Sequence, residues 1–139
     1  MSESSAPRTA AIVVTHEPDF DLFSKVLKAL APQCQVIVVD NGSSEVVLAQ
    51  VTALVEHQAA VSLLELRENS GIAHAQNAGI RQALATRPNT EFVLTLDHDS
   101  VVPEEFVSQL QDEFDSRDKA LRLAAIGPTL IDPRVNAPV

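Results

Sequence analysis

The sequence contains a single cysteine, Cys34, which excludes an internal disulfide and any cysteine-rich zinc site. Set between Gln33 and Gln35, that thiol reads as a partly buried, inert side chain. Basic clusters are missing too. With 10 Lys and Arg against 19 Asp and Glu, the formal charge of −9 argues against a nucleic-acid partner, since phosphate backbones are held by Lys and Arg. A nucleotide held by a metal and backbone amides stays open. No apolar run approaches the roughly 20 residues that span a bilayer, so no transmembrane segment is expected. The opening Met1-Ser2-Glu3-Ser4-Ser5-Ala6-Pro7 has neither the basic start nor the apolar stretch of a secretory signal. Residues 1–8 therefore read as a disordered leader, and residues 9–139 as one domain with room for a real core. The expected location is the cytoplasm, or the inner face of a membrane in a peripheral association.

What is present is an alternation of short apolar runs with amphipathic stretches. Thr9–Val14, Gln35–Val39, Val61–Leu66 and Phe92–Leu96 read as buried strands, and Leu121–Ile126 as a fifth. Between them, Asp19 or Asp21 is placed to cap a helix whose Phe20, Phe23, Val26, Leu27 and Leu30 share a stripe. A second helix carries Val47, Val51, Leu54 and Val55 on one face, and a third lines up Ile72, Ala75, Gln76, Gly79, Ile80, Ala83 and Leu84. Pro103 suits the first position of a fourth helix, with Glu104 and Glu105 in its first turn, and the tail after Gly127-Pro128 reads as irregular. Gly79 inside a helix costs about 1 kcal/mol relative to Ala, which predicts close packing at that point. The pattern predicts an α/β fold: a mainly parallel, Rossmann-like sheet with helices on both faces.

Polar residues collect where these strands end. Thr15-His16-Glu17, Asp40-Asn41, Asn69-Ser70-Gly71 and Asp97-His98-Asp99 all project beyond the carboxyl edge, where doubly wound sheets take their ligands. Alternation along an extended segment puts Asp97 and Asp99 on one side and His98 on the other. Paired carboxylates repel unless a cation joins them, and hard oxygen ligands suit Mg²⁺ or Mn²⁺. The first strand is followed by Thr15-His16-Glu17-Pro18-Asp19, without the glycines of a dinucleotide fingerprint, so NAD and FAD are not expected. A phosphoryl-transfer enzyme with a strand-end Asp and Mg²⁺ remains an alternative.

Four segments, in order, resemble family 2 glycosyltransferases of the GT-A fold, most of all bacterial rhamnosyltransferase-type members. They are Ile12–His16; Val38-Val39-Asp40-Asn41-Gly42-Ser43; Glu68–Ile80 with its Asn69, Gly71, Asn77 and Gly79; and Leu96-Asp97-His98-Asp99-Ser100. Ala124–Pro128 is similar to the strand that follows in that subgroup. The resemblance implies a nucleotide-diphosphate-sugar donor site, with dTDP-rhamnose as the donor and a polysaccharide or glycolipid as the acceptor. It implies nucleotide contacts from Thr15, His16, Glu17, Asp40, Asn69, Gly71, Asn77, Asp97 and His98, and a metal on Asp97 and Asp99. Family members more often carry Tyr and Asn where His16 and Glu17 stand. His74 reads as a surface or packing residue rather than a ligand, and His57 as solvent-exposed.

The family's catalytic base lies in an acceptor-binding half beyond the D-x-D, and family domains are longer than this chain. The resemblance therefore implies a donor-binding portion with no catalytic residue of its own, expected to bind a nucleotide and to transfer sugar poorly or not at all. A non-catalytic nucleotide-binding module is the other alternative. An unfilled place beside the fourth strand would leave an exposed edge, and a homodimer through that edge is expected.

Overall fold

Thr9–Thr15 and Gln35–Asn41 are rich in β-branched residues, and in the computed structural model they form the two central strands, β1 and β2. Every residue of β1 is buried, as is every residue of β2 after Gln35. Val61–Leu66 (β3) and Phe92–Asp97 (β4) complete a four-stranded parallel sheet in the order β3-β2-β1-β4. Residues 7–132 and 134–138 are described, in two compact units that divide between Glu104 and Glu105. The leader expected at residues 1–8 lies, but for Pro7 and Arg8, outside the described residues.

Three helices belong to the first unit: Phe20–Leu30 (α1), Glu45–Val55 (α2) and Ile72–Thr86 (α3). Asp19 caps α1, its Oδ1 accepting the Leu22 N–H at 3.0 Å. Phe23, Val26, Leu27 and Leu30 form the buried stripe of that helix. The chain steps outward from β1 to β3 through α1 and α2, then returns across the sheet through α3 to β4. Right-handed crossovers place α3 on one face and α1 with α2 on the other. On the α3 face, Ala10, Ile12, Val14, Ile37 and Val39 pack with Ala75 and Ala83. Gly79 lets the helix come this close: a Cβ there would lie 2.6 Å from Ile12 Cγ2 and 2.9 Å from Val39 Cγ2. Cys34 is fully buried, and that burial pushes its thiol up to about 11, outweighing the backbone hydrogen bond from Ala11 that lowers it.

Several expectations are corrected. The sheet is buried on both faces only at its centre, because β3 and β4 are edge strands; β4 alternates between half-buried and exposed residues. The inner face of α3 is narrower than its apolar pattern, with Ile72 52% and Leu84 46% exposed, since the helix lies mainly over β1 and β2, where it buries Ala75, Gly79 and Ala83.

In the second unit, Phe106–Leu121 forms α4. Pro103 is not its first residue, and Glu104 and Glu105 are not in its first turn; Glu105 has a φ of +61°, which is incompatible with helix, so α4 opens one residue later. Leu121 is the last residue of α4, Arg122 follows with a left-handed φ of +50°, and residues 122–126 enter no strand. The expected fifth strand over Leu121–Ile126 is absent, its first residue belonging to α4. Instead of a wholly irregular tail, Ile131–Asp132 (β5) and Ala137–Pro138 (β6) form a short antiparallel pair.

Candidate functional site

The parallel register brings the ends of β1, β2 and β4 level. Thr15 stands opposite Asp40, and Val14 stands between Val39 and Asp97. Paired residues in parallel strands share a face, so Thr15 and Asp40 emerge on the α1 and α2 side and Asp97 on the α3 side. The carboxyl edge thus gathers polar groups from three neighbouring strands.

Asp40 is at the centre of one group. It is 1% exposed, and its carboxylate accepts three hydrogen bonds: from Thr15 Oγ1 at 3.1 Å, from the Ser43 N–H at 2.9 Å and from Ser43 Oγ at 2.6 Å. An ionised carboxylate has room for about four donors, so Oδ1, with one bond, keeps a free lone pair. Thr15 is itself fully buried, while His16 and Glu17 are exposed. Glu17 turns its carboxylate to the start of α2, where Oε1 accepts the Ser44 N–H at 2.6 Å.

A second group joins β2 to the start of α3. Asn41 Nδ2 donates to Asn69 Oδ1 at 3.0 Å, and Asn41 Oδ1 accepts the Ser70 N–H at 3.0 Å. Asn69 Oδ1 also accepts the Gly71 N–H at 3.1 Å. Gly42, with a φ of +79°, lies so near this loop that a Cβ would fall 2.5 Å from the Asn69 nitrogen. Gly71, with a φ of +83°, has open space where a Cβ would be, at the head of a helix with no acidic residue in its first turn. The third group is Asp97-His98-Asp99. Here β4 stops at Asp97 and the chain turns, the Ser100 N–H donating to the Asp97 carbonyl at 3.2 Å. The extended alternation expected across Asp97 and Asp99 is therefore broken by a turn at His98. His98 folds back toward β1, its Nδ1 lying 3.4 Å from the Val14 carbonyl.

Thr15, Asp40, Asn69, Gly71, Asp97 and His98 are thus all at the carboxyl edge or in the loops that leave it. Asn77 is different: it is exposed, and two residues beyond Ala75 it lies on the outer side of α3. Asn41, Gly42 and Ser43 are absent from the expected nucleotide contacts, although they tie the loops together. The Asp-Asn-Gly-Ser run itself carried the signal, because an Asp side chain commonly bonds a backbone N–H a few residues on. Among the described residues, no group of three or more His, Cys, Asp or Glu gathers to hold a metal. Asp97 and Asp99, both exposed, remain a two-carboxylate donor set. That set fits Mg²⁺ or Mn²⁺, which are commonly bound by one or two carboxylates together with substrate phosphates and water.

Comparison with known proteins gives a consistent result. The family model described as "Glycosyl transferase family 2" matches residues 11–134. A curated relative, the dTDP-rhamnosyl transferase RfbF of Shigella flexneri, is 33% identical over 123 residues, which cover 88% of this chain and 38% of that protein. Among solved structures, the mannosyltransferase PcManGT from Pyrobaculum calidifontis, in complex with GDP-Man and Mn²⁺, superposes with a TM-score of 0.67 at 24% identity, over 94% of this chain and 37% of its own. S. aureus TarS 1-349 does so with a TM-score of 0.63 at 20% identity, over 89% of this chain and 39% of its own. These two likenesses bear on the fold. The chain spans well under half the length of each of the three.

Proposed function

Because the chain belongs to glycosyl transferase family 2, we propose that it forms the donor side of a sugar transfer, binding a nucleoside-diphosphate sugar destined for a polysaccharide or glycolipid acceptor. The donor we put forward is dTDP-rhamnose, in keeping with the rhamnosyl relative. One observation supports the reading above all: a buried, hydrogen-bonded carboxylate, a glycine-opened helix start and two exposed carboxylates meet along one edge of a parallel sheet.

Each group has a chemical task. The free lone pair on Asp40 Oδ1 accepts the imide N–H of thymine or uracil, and Thr15 and His16 flank the base. The amides at the head of α3 beyond Asn69 and Gly71 favour an anionic diphosphate, and Asn77 belongs to the same helix. His98 and Asp97 border the ribose and diphosphate. Asp97 and Asp99 would hold Mg²⁺ or Mn²⁺, an ion that supplies Lewis-acid neutralisation of the departing diphosphate when bound. No residue of this chain is assigned as the catalytic base.

Calorimetric titration with dTDP, UDP and GDP, each with and without Mn²⁺, tests the proposal. We expect metal-dependent binding of dTDP, weakened at least about tenfold in Asp99→Ala, in line with the loss of one charged ligand. Binding of none of the three nucleotides would sink it.

A further inference from the structure

Glu17 has a φ of +49°, in the left-handed region that residues with side chains rarely enter. It is held there from two directions. Its own N–H donates to Ser43 Oγ at 3.1 Å, while its Oε1 accepts the Ser44 N–H at 2.6 Å and its Oε2 lies 3.5 Å from Ser44 Oγ. Ser43 Oγ in turn donates to Asp40 Oδ2 at 2.6 Å.

The reason lies at the start of α2. Ser44 occupies the N-cap position but makes no side-chain capping bond. In a capping box, a Glu or Gln three residues into the helix would reach back to the N-cap N–H. Here that position is Val47, which has no acceptor. Glu17 supplies the missing carboxylate from a different loop, and a negative charge is favourable at a helix N-terminus. One half of such a box, the carboxylate on the N-cap N–H, is thus made between two loops that are separate in sequence.

We propose that Glu17 and Ser43 form a latch that fastens the β1–α1 loop to the head of α2, making Glu17 a positioning residue for the nucleotide rather than a ligand to it. His16 then sits between two fixed points, Thr15 bonded to Asp40 and Glu17 bonded to Ser43 and Ser44, so the backbone that carries its exposed imidazole is anchored on both sides. The functional part of the inference rests on the donor-site reading above. The latch itself does not.

The test combines two measurements on the whole chain: amide hydrogen exchange at Glu17 and Ser44, and calorimetric binding of dTDP with Mn²⁺. In the unmodified protein both amides should be protected. Glu17→Ala, which removes the acceptor of the Ser44 N–H, should release protection at Ser44, and Ser43→Ala, which removes the acceptor of the Glu17 N–H, should release it at residue 17; each should weaken nucleotide binding by about tenfold, the effect of losing one hydrogen bond of the latch. Glu17→Gln retains an oxygen that accepts the Ser44 N–H, so it should keep protection and bind within about twofold of the unmodified protein. A Gln variant as weak as the Ala variant would overturn the latch in favour of a direct charge contact with ligand or metal. Wild-type binding by Glu17→Ala would overturn it as well. If the unmodified protein binds no nucleotide, the donor-site reading fails, and exchange alone decides the latch: loss of protection in Glu17→Ala supports it, and unchanged protection overturns it.

Discussion

Two glycines show how much one missing side chain decides. Gly42 carries a positive φ and faces backbone atoms of Glu68 and Asn69 within 3 Å of where a Cβ would be. Backbone cannot rotate aside, so Gly42→Ala should cost about 2–4 kcal/mol, combining left-handed strain with overpacking. Gly79 meets methyl groups of Ile12 and Val39, both β-branched and fully buried, and therefore stiff. Overpacking there costs about 1–3 kcal/mol, offset by about 1 kcal/mol of improved helix propensity. Gly79→Ala is thus the milder change. Urea unfolding should rank the two in that order, and only Gly42→Ala should also disturb nucleotide binding, because it alone displaces the loop that carries Asn69.

At the level of elements, α1 offers the cleanest test, because its side-chain cap is a single bond donated by the Leu22 N–H to Asp19 Oδ1. Asp19→Ala should lower stability by about 1 kcal/mol, read from the midpoint of chemical unfolding, while leaving the strand-end groups in place. The same scale shows what was legible in the sequence. The four parallel strands and three crossing helices could be read because each has a strong period and a clear stop, such as Pro32 after α1 or the Asp-Asn-Gly turn after β2. Apolarity alone misled at Leu121–Ile126, where Leu121 ends α4 and a left-handed Arg122 breaks the run, and no composition signal announces that break. The D-x-D was found by its residue types, but the turn at His98 depends on a hydrogen bond between Ser100 and Asp97 that spacing does not reveal. The role of Glu17 was hidden for a similar reason: its partners come from a loop about 26 residues later in the chain.

For the molecule as a whole, the feature with the widest reach is the place of β4. Among the described residues it pairs with β1 alone, and Val93 on it is 39% exposed. Open strand edges recruit other strands, so association through this edge should grow with protein concentration. The net charge of −9 opposes it, and added salt should therefore strengthen it by screening. Light scattering across a concentration and salt series checks this, and a clean monomer at high concentration and high salt would count against it. The position of β1 has a different consequence, in time rather than space. It is made first yet stands at the centre of the sheet, and one flank waits for β4: the Arg8 and Glu91 side chains that pair at its foot are 83 residues apart. At about 5–20 residues per second, that flank stays open for on the order of ten seconds during synthesis. The nascent chain can pair β1 with β2 and β2 with β3 early, but the two sides of the carboxyl edge come together only when the last of the four strands has left the ribosome.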